Sequence, residues 1–195
     1  RAASLAELFS ARFGNPMLID AEQLVALFMP ERVPRTFGDL AIRLKVMTTD
    51  LYARAERVFE EGPLRPALAA SMAVPGLVRP VVIDGRVLID GSAVNPLPFD
   101  IVRDDGYLTL AVDTSVGPVA PRGVPDPWDA LFSAIQVMGY TIVAAKLRTG
   151  PPDIVIRPKV GAFRLLDFLH VSAILRAADP VKAEVKARLA PFIAA

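Results

Sequence analysis

Apolar residues recur along the chain at two spacings, and the spacing divides it into helices and strands. Leu5, Leu8, Phe9 and Phe13 fall at helical intervals between Ser4 and Phe13, and Gly14-Asn15-Pro16 stops the run. Asp20 stands where a cap begins a second amphipathic segment through Met29. From Leu40 to Thr49, Ile42, Leu44 and Val46 alternate with Arg43 and Lys45, the period of a strand with one wetter face, and Tyr52 to Phe59 reads as its neighbour. Gly62-Pro63 opens a short helix ending near Ser71. The alanines of that stretch, Ala67, Ala69, Ala70 and Ala73, admit two readings: close approach to other backbone, or the helix propensity of alanine alone.

Two apolar runs, Val78 to Ile83 and Val87 to Ile89, flank Asp84-Gly85. A two-residue Asp-Gly loop between such runs predicts a tight hairpin, because its turn needs positive φ. Downstream, Phe99 to Asp105 predicts a short helix or turn, and Tyr107 to Asp113 a strand. Gly117 to Pro127 holds four prolines and two glycines and reads as a surface loop. Trp128 to Arg148 is the longest helix. Its uncharged stretch, Ala130 to Ala145, is sixteen residues, short of the roughly 18 that call for a membrane span, so a buried or half-buried core helix is expected. Ile154 to Ile156 is a short strand, and Leu165 to Ala177 and Pro180 to Phe192 are closing helices. The second carries Lys182, Glu184, Lys186 and Arg188. Alternating helices and strands make the class α/β.

Composition narrows the chemistry. At 195 residues with 53% hydrophobic the chain is one domain with a sizeable core. The 22 Lys and Arg against 21 Asp and Glu leave no basic excess for a nucleic-acid partner or an electrostatic membrane anchor. With no cysteine there is no disulfide and no thiolate metal site. His170 is the single histidine and sits on a C-terminal helix, so it reads as a packed or surface residue, and no ligand pair at helical spacing accompanies it. Ser71 lacks a lysine three residues on, where Val74 stands, and so does not form a Ser-x-x-Lys nucleophile. Asp50, Asn95 and Asp113 at strand ends read as turn and cap residues.

The hairpin delivers the chain to Asp90-Gly91-Ser92-Ala93-Val94-Asn95-Pro96-Leu97-Pro98. Asp90 follows an apolar strand and precedes a glycine, which places its carboxylate where the backbone turns sharply. It can cap that turn, or it can carry chemistry, since strand ends leading into loops hold the sites of α/β folds. Together with Ala70-Ser71-Met72-Ala73-Val74-Pro75-Gly76 upstream, this segment closely resembles the patatin-like phospholipases, in particular their compact bacterial members. Val46-Met47-Thr48-Thr49-Asp50-Leu51 looks like that family's Thr-Asp/Asn-Leu strand end. Pro152 to Pro158 with Leu166-Asp167-Phe168 looks like its C-terminal strand and following helix.

The resemblance implies a three-layer sandwich with a mainly parallel central sheet, and a serine acyl hydrolase of lipid esters. It also implies a Ser-Asp dyad in which Asp90 deprotonates the serine without an imidazole relay, with Gly91, Ser92 and Asn95 supporting the turn, no metal and no cofactor. A free aspartate is a weak base at neutral pH, so the dyad asks for partial burial, which Val87, Leu88, Ile89 and Pro96-Leu97-Pro98 would supply. The family's glycine-rich oxyanion loop and Gly-x-Ser-x-Gly elbow do not occur in this sequence. Residues 1–195 are therefore expected to be the C-terminal two-thirds of one such domain, lacking its N-terminal strands and inactive alone, with no second domain. Ser92, where the family has glycine or alanine, lacks the elbow's flanking glycines and is not expected to be the nucleophile. The expected partners are a lipid or acyl-ester substrate, a membrane surface met transiently, and the N-terminal segment or another copy to complete the sheet. The expected location is cytoplasmic or membrane-peripheral. The rival reading is a binding or scaffolding domain without catalysis.

Overall fold

A computed structural model describes residues 20–104, 106–115, 117, 123–161, 163 and 170–193. The helix expected from Ser4 to Phe13 lies outside them, as do the start of the helix expected from Leu165 and residues 118–122 of the proline-rich stretch. Helices and strands alternate in an α/β arrangement, and the chain divides after Asn95 into two compact units.

In the first unit, α1 (Ala21–Phe28) starts where expected, with Asp20 Oδ1 accepting from the Gln23 amide at 3.0 Å. Strands β1 (Val46–Asp50), β2 (Ala55–Phe59), β3 (Val81–Ile83) and β4 (Arg86–Asp90) form a sheet in the order β2-β1-β4-β3, antiparallel throughout. The mainly parallel sheet implied by the resemblance is not what these four strands build. Short loops join β1 to β2 and β3 to β4, and a tight loop can only return the chain antiparallel. The β3–β4 loop is the expected Asp84-Gly85 turn, with φ of 51° and 73° at its two residues.

β1 begins at Val46 and not at Leu40. Its partner β2 is spent at Phe59, opposite Val46, because Gly62 at φ 80° turns the chain away. Ile42 and Leu44, left without a strand to face, are exposed. Helix α2 (Leu64–Ser71) follows. Ala69, Ala70 and, just past its end, Ala73 are fully buried with Ala21 and Val25 of α1 and Val81 and Leu88 of the sheet, which favours the close-approach reading of the alanine-rich stretch. Phe37, Val46, Leu64 and Ala67 form a second cluster beside it.

In the second unit, β5 (Leu110–Val112) and β6 (Ile154–Ile156) pair in parallel, Leu110 opposite Ile154. Between them runs α3 (Pro127–Thr149), capped by Asp126, whose Oδ1 accepts from the amides of Trp128 at 2.8 Å and Asp129 at 3.0 Å. A parallel pair needs a long crossover, and α3 supplies it. One side of α3 packs Val143 and Leu147 on Leu97, Phe99 and Ala111. The helix was expected to be buried or half-buried, but Val143 is its one fully buried residue among those described, and Trp128, Leu131, Val137 and Met138 face solvent. By length and composition α3 also meets the requirement for crossing a membrane. Helices α4 (Val171–Ala178) and α5 (Val181–Ile193) close the unit, and Arg188 Nη1 donates to the Val155 carbonyl at 3.2 Å.

Candidate functional site around Asp90

Asp90 is the last residue of β4, half-buried, with Leu88 and Ile89 buried before it. It lies opposite Thr48 of β1. Pairing with β3 stops at Leu88, two residues earlier, so other groups hold Asp90. Its N–H donates to the Ala73 carbonyl at 3.1 Å, and its own carbonyl accepts from Thr49 Oγ1 at 2.9 Å. Its Oδ1 accepts from the Ser92 amide at 2.7 Å, which is the capping contact expected of an aspartate at this turn. Among the described residues no donor reaches Oδ2.

The turn that follows, Gly91–Ala93, passes directly over β1. A Cβ at position 91 would lie 2.5 Å from Met47 Cγ, 2.6 Å from the Met47 carbonyl oxygen and 2.8 Å from its carbonyl carbon, so only glycine fits. Ser92 is exposed, and its side chain takes no part in the Asp90 contact; the main-chain N–H does. Asn95 is buried, its N–H donating to the Gly91 carbonyl at 2.9 Å and its Nδ2 to Glu56 Oε2 at 3.1 Å, so it closes the turn onto β2. Gly91, Ser92 and Asn95 thus all belong to one turn around Asp90.

Asp50, at the end of β1, turns the chain toward β2. Its Oδ1 accepts from the amides of Tyr52 at 3.2 Å and Ala53 at 2.9 Å, and its Oδ2 from Arg86 Nη1 at 2.8 Å. The Ala53 N–H and the Arg86 guanidinium hold its carboxyl below the usual carboxylate range. In the second unit Asp113 plays a similar part. It accepts from the Ser115 amide at 3.0 Å and hydroxyl at 2.5 Å, and from Arg157 Nε at 3.0 Å, beside a cavity of about 280 Å³ lined also by Tyr140, Val143 and Ala144. Ser71 lies at the end of α2, and His170 immediately precedes α4. Among the described residues no three His, Asp or Glu side chains gather as a metal site.

Sequence reasoning passed over Thr49. The structure buries β1 along its whole length, which puts the hydroxyls of Thr48 and Thr49 where they need acceptors. Thr48 finds the Arg57 carbonyl at 2.8 Å, and Thr49 finds Asp90.

The family model for patatin-like phospholipase matches residues 2–103, just over half of the chain, and the chain belongs to that family. Among curated proteins, an uncharacterized NTE family protein of Mycobacterium tuberculosis is 36% identical over 95 residues, 48% of this chain and 26% of that protein. Patatin-like phospholipase domain-containing protein 7 of Rattus norvegicus is 37% identical over 165 residues, 69% of this chain and 12% of that protein. Patatin-like phospholipase domain-containing protein 6 of Mus musculus is 41% identical over 70 residues, 34% of this chain and 5% of that protein. The chain spans about a quarter of the mycobacterial relative and less of the other two.

Proposed function

We propose that this chain is part of a serine acyl hydrolase acting on lipid or lysolipid esters. In this reading Asp90 is the aspartate of a Ser-Asp dyad, and the serine comes from an elbow upstream of residue 1. Residues 1–195 then form the C-terminal part of one patatin-like domain, inactive alone. The observation that carries the reading is the state of the Asp90 carboxylate: Oδ1 is anchored by the Ser92 amide, and no donor among the described residues reaches Oδ2. A base needs such an oxygen, fixed by its neighbour and open to a hydroxyl.

A single carboxylate of this kind can carry both proton transfers of the reaction. The serine hydroxyl donates to Oδ2; as its oxygen attacks the ester carbonyl, the proton passes to the carboxylate, and the bond to the alcohol breaks as that proton is delivered to it. Water then repeats the sequence on the acyl-enzyme. The developing oxyanion needs backbone N–H donors, each worth about 3 to 4 kcal/mol in a serine hydrolase, and these belong with the upstream glycine-rich loop.

Covalent labelling of the full-length protein by a fluorophosphonate tests the reading. Labelling of one serine in a Gly-x-Ser-x-Gly context supports it. No labelling under conditions where the protein is folded would overturn it in favour of the binding or scaffolding domain.

A further inference from the structure

We infer that Thr49 is a positioning residue for Asp90, setting the direction of its carboxylate. The inference rests on the proposal that Asp90 accepts the nucleophile's proton. Among the described residues, and besides its pairing with Thr48 in β1, three hydrogen bonds hold Asp90 once the chain leaves the β3 side of the ladder: its N–H to the Ala73 carbonyl, its carbonyl to Thr49 Oγ1, and its Oδ1 to the Ser92 amide. Ala73 and Ser92 supply main-chain atoms, which any residue there would supply. Thr49 alone acts through its side chain, from 41 residues away.

The Asp90 carbonyl belongs to the peptide plane that begins the Gly91–Ala93 turn, and the Ser92 N–H that holds Oδ1 belongs to the next peptide plane along that turn. Only φ and ψ of Gly91 separate the two planes, and Gly91 is packed against Met47, so holding the carbonyl restricts where the Ser92 N–H points and, through it, the plane of the carboxylate. Thr49 is 3% exposed, so water does not replace its hydroxyl if it is lost. The carbonyl must then rotate to find another donor, and the turn and the carboxylate rotate with it. Displacements of about 1 Å in a reacting group cost on the order of 100-fold in rate, so the effect belongs in kcat.

The test uses Thr49→Val, which keeps the shape and removes the hydroxyl, in the full-length protein with a short p-nitrophenyl ester. The expected result is a kcat lower by roughly 10- to 100-fold, KM within about twofold, and restoration of most of the rate in Thr49→Ser. A wild-type kcat in Thr49→Val overturns the inference. So does a loss in Thr49→Ser as deep as in Thr49→Val, which would mark the methyl's packing as the cause. If Thr49→Val does not fold, Thr49→Cys, with its weaker thiol donor, is measured instead: a lowered kcat with KM unchanged supports the inference, and a wild-type kcat overturns it. Asp90→Asn is assayed in parallel. Wild-type hydrolysis there would remove the base itself and the inference with it, whereas a dead Asp90→Asn beside an unaffected Thr49→Val would remove the positioning role alone.

Discussion

Arg86 Nη1 donates to Asp50 Oδ2 at 2.8 Å, tying the residue that follows the Asp84-Gly85 turn to the end of β1. The same carboxylate is held by the amides of Tyr52 and Ala53, so one side chain joins the β1–β2 loop to β4, the strand that ends at Asp90.

A pH dependence follows. The folded-state pKa of Asp50 lies below its ordinary value, so its contribution to stability is present above the unfolded carboxylate pKa of about 3.9 and is lost as pH falls through the lower folded value. Asp50→Asn is expected to melt below wild type at neutral pH, and the gap should narrow in acid below about pH 3.9. Paired thermal melts across that range check it; a gap independent of pH would contradict the assignment.

Gly91→Ala forces a methyl against the Met47 backbone. Overpacking of this kind costs about 1 to 3 kcal/mol. Ser92→Ala, by contrast, keeps the main-chain N–H that holds Asp90 and should stay within about 0.5 kcal/mol of wild type. Urea denaturation of the two variants separates them, and equal stability would mean that the turn does not lie so close to β1.

The exposed side of α3 has its own consequence. Val137 is 64% and Met138 58% exposed, and Val112 on β5 is also open to solvent. Apolar surface of this extent seeks cover, so the 195-residue chain expressed alone is expected to self-associate or to aggregate. Val137→Lys with Met138→Lys should weaken the association. Analytical ultracentrifugation gives the answer, and a non-associating monomer with a cooperative melt would contradict it.

The parts of the fold that sequence predicts well are those governed by local rules. Asp84-Gly85 predicts its hairpin because few other dipeptides take positive φ twice in succession, and Asp20 opens α1 for the equally local reason of capping. The direction of the four-stranded sheet depends on β4 returning to pair with β1 across some forty residues, which no local pattern encodes. Ile42 and Leu44 alternate like strand residues yet are left without a partner once β2 ends at Phe59. The exposure of α3 depends on what stands beside it, and a run of uncharged residues reads alike whether it is covered or not. The place of Asp90, at a strand end and capping the turn behind it, was legible from the apolar run before it and the glycine after it. Thr49 was not, since nothing near it in sequence says that its acceptor is the carbonyl of residue 90.

If Asp90 takes the nucleophile's proton, as proposed, ester hydrolysis by the full-length protein depends on that carboxylate, and Asp90→Asn removes it. Asparagine keeps the shape and can keep the Ser92 contact through its amide oxygen, but it cannot accept a proton. The expected result is an unchanged fold with kcat/KM for a p-nitrophenyl ester lower by roughly 10²- to 10⁴-fold. Hydrolysis at near the wild-type rate would contradict it.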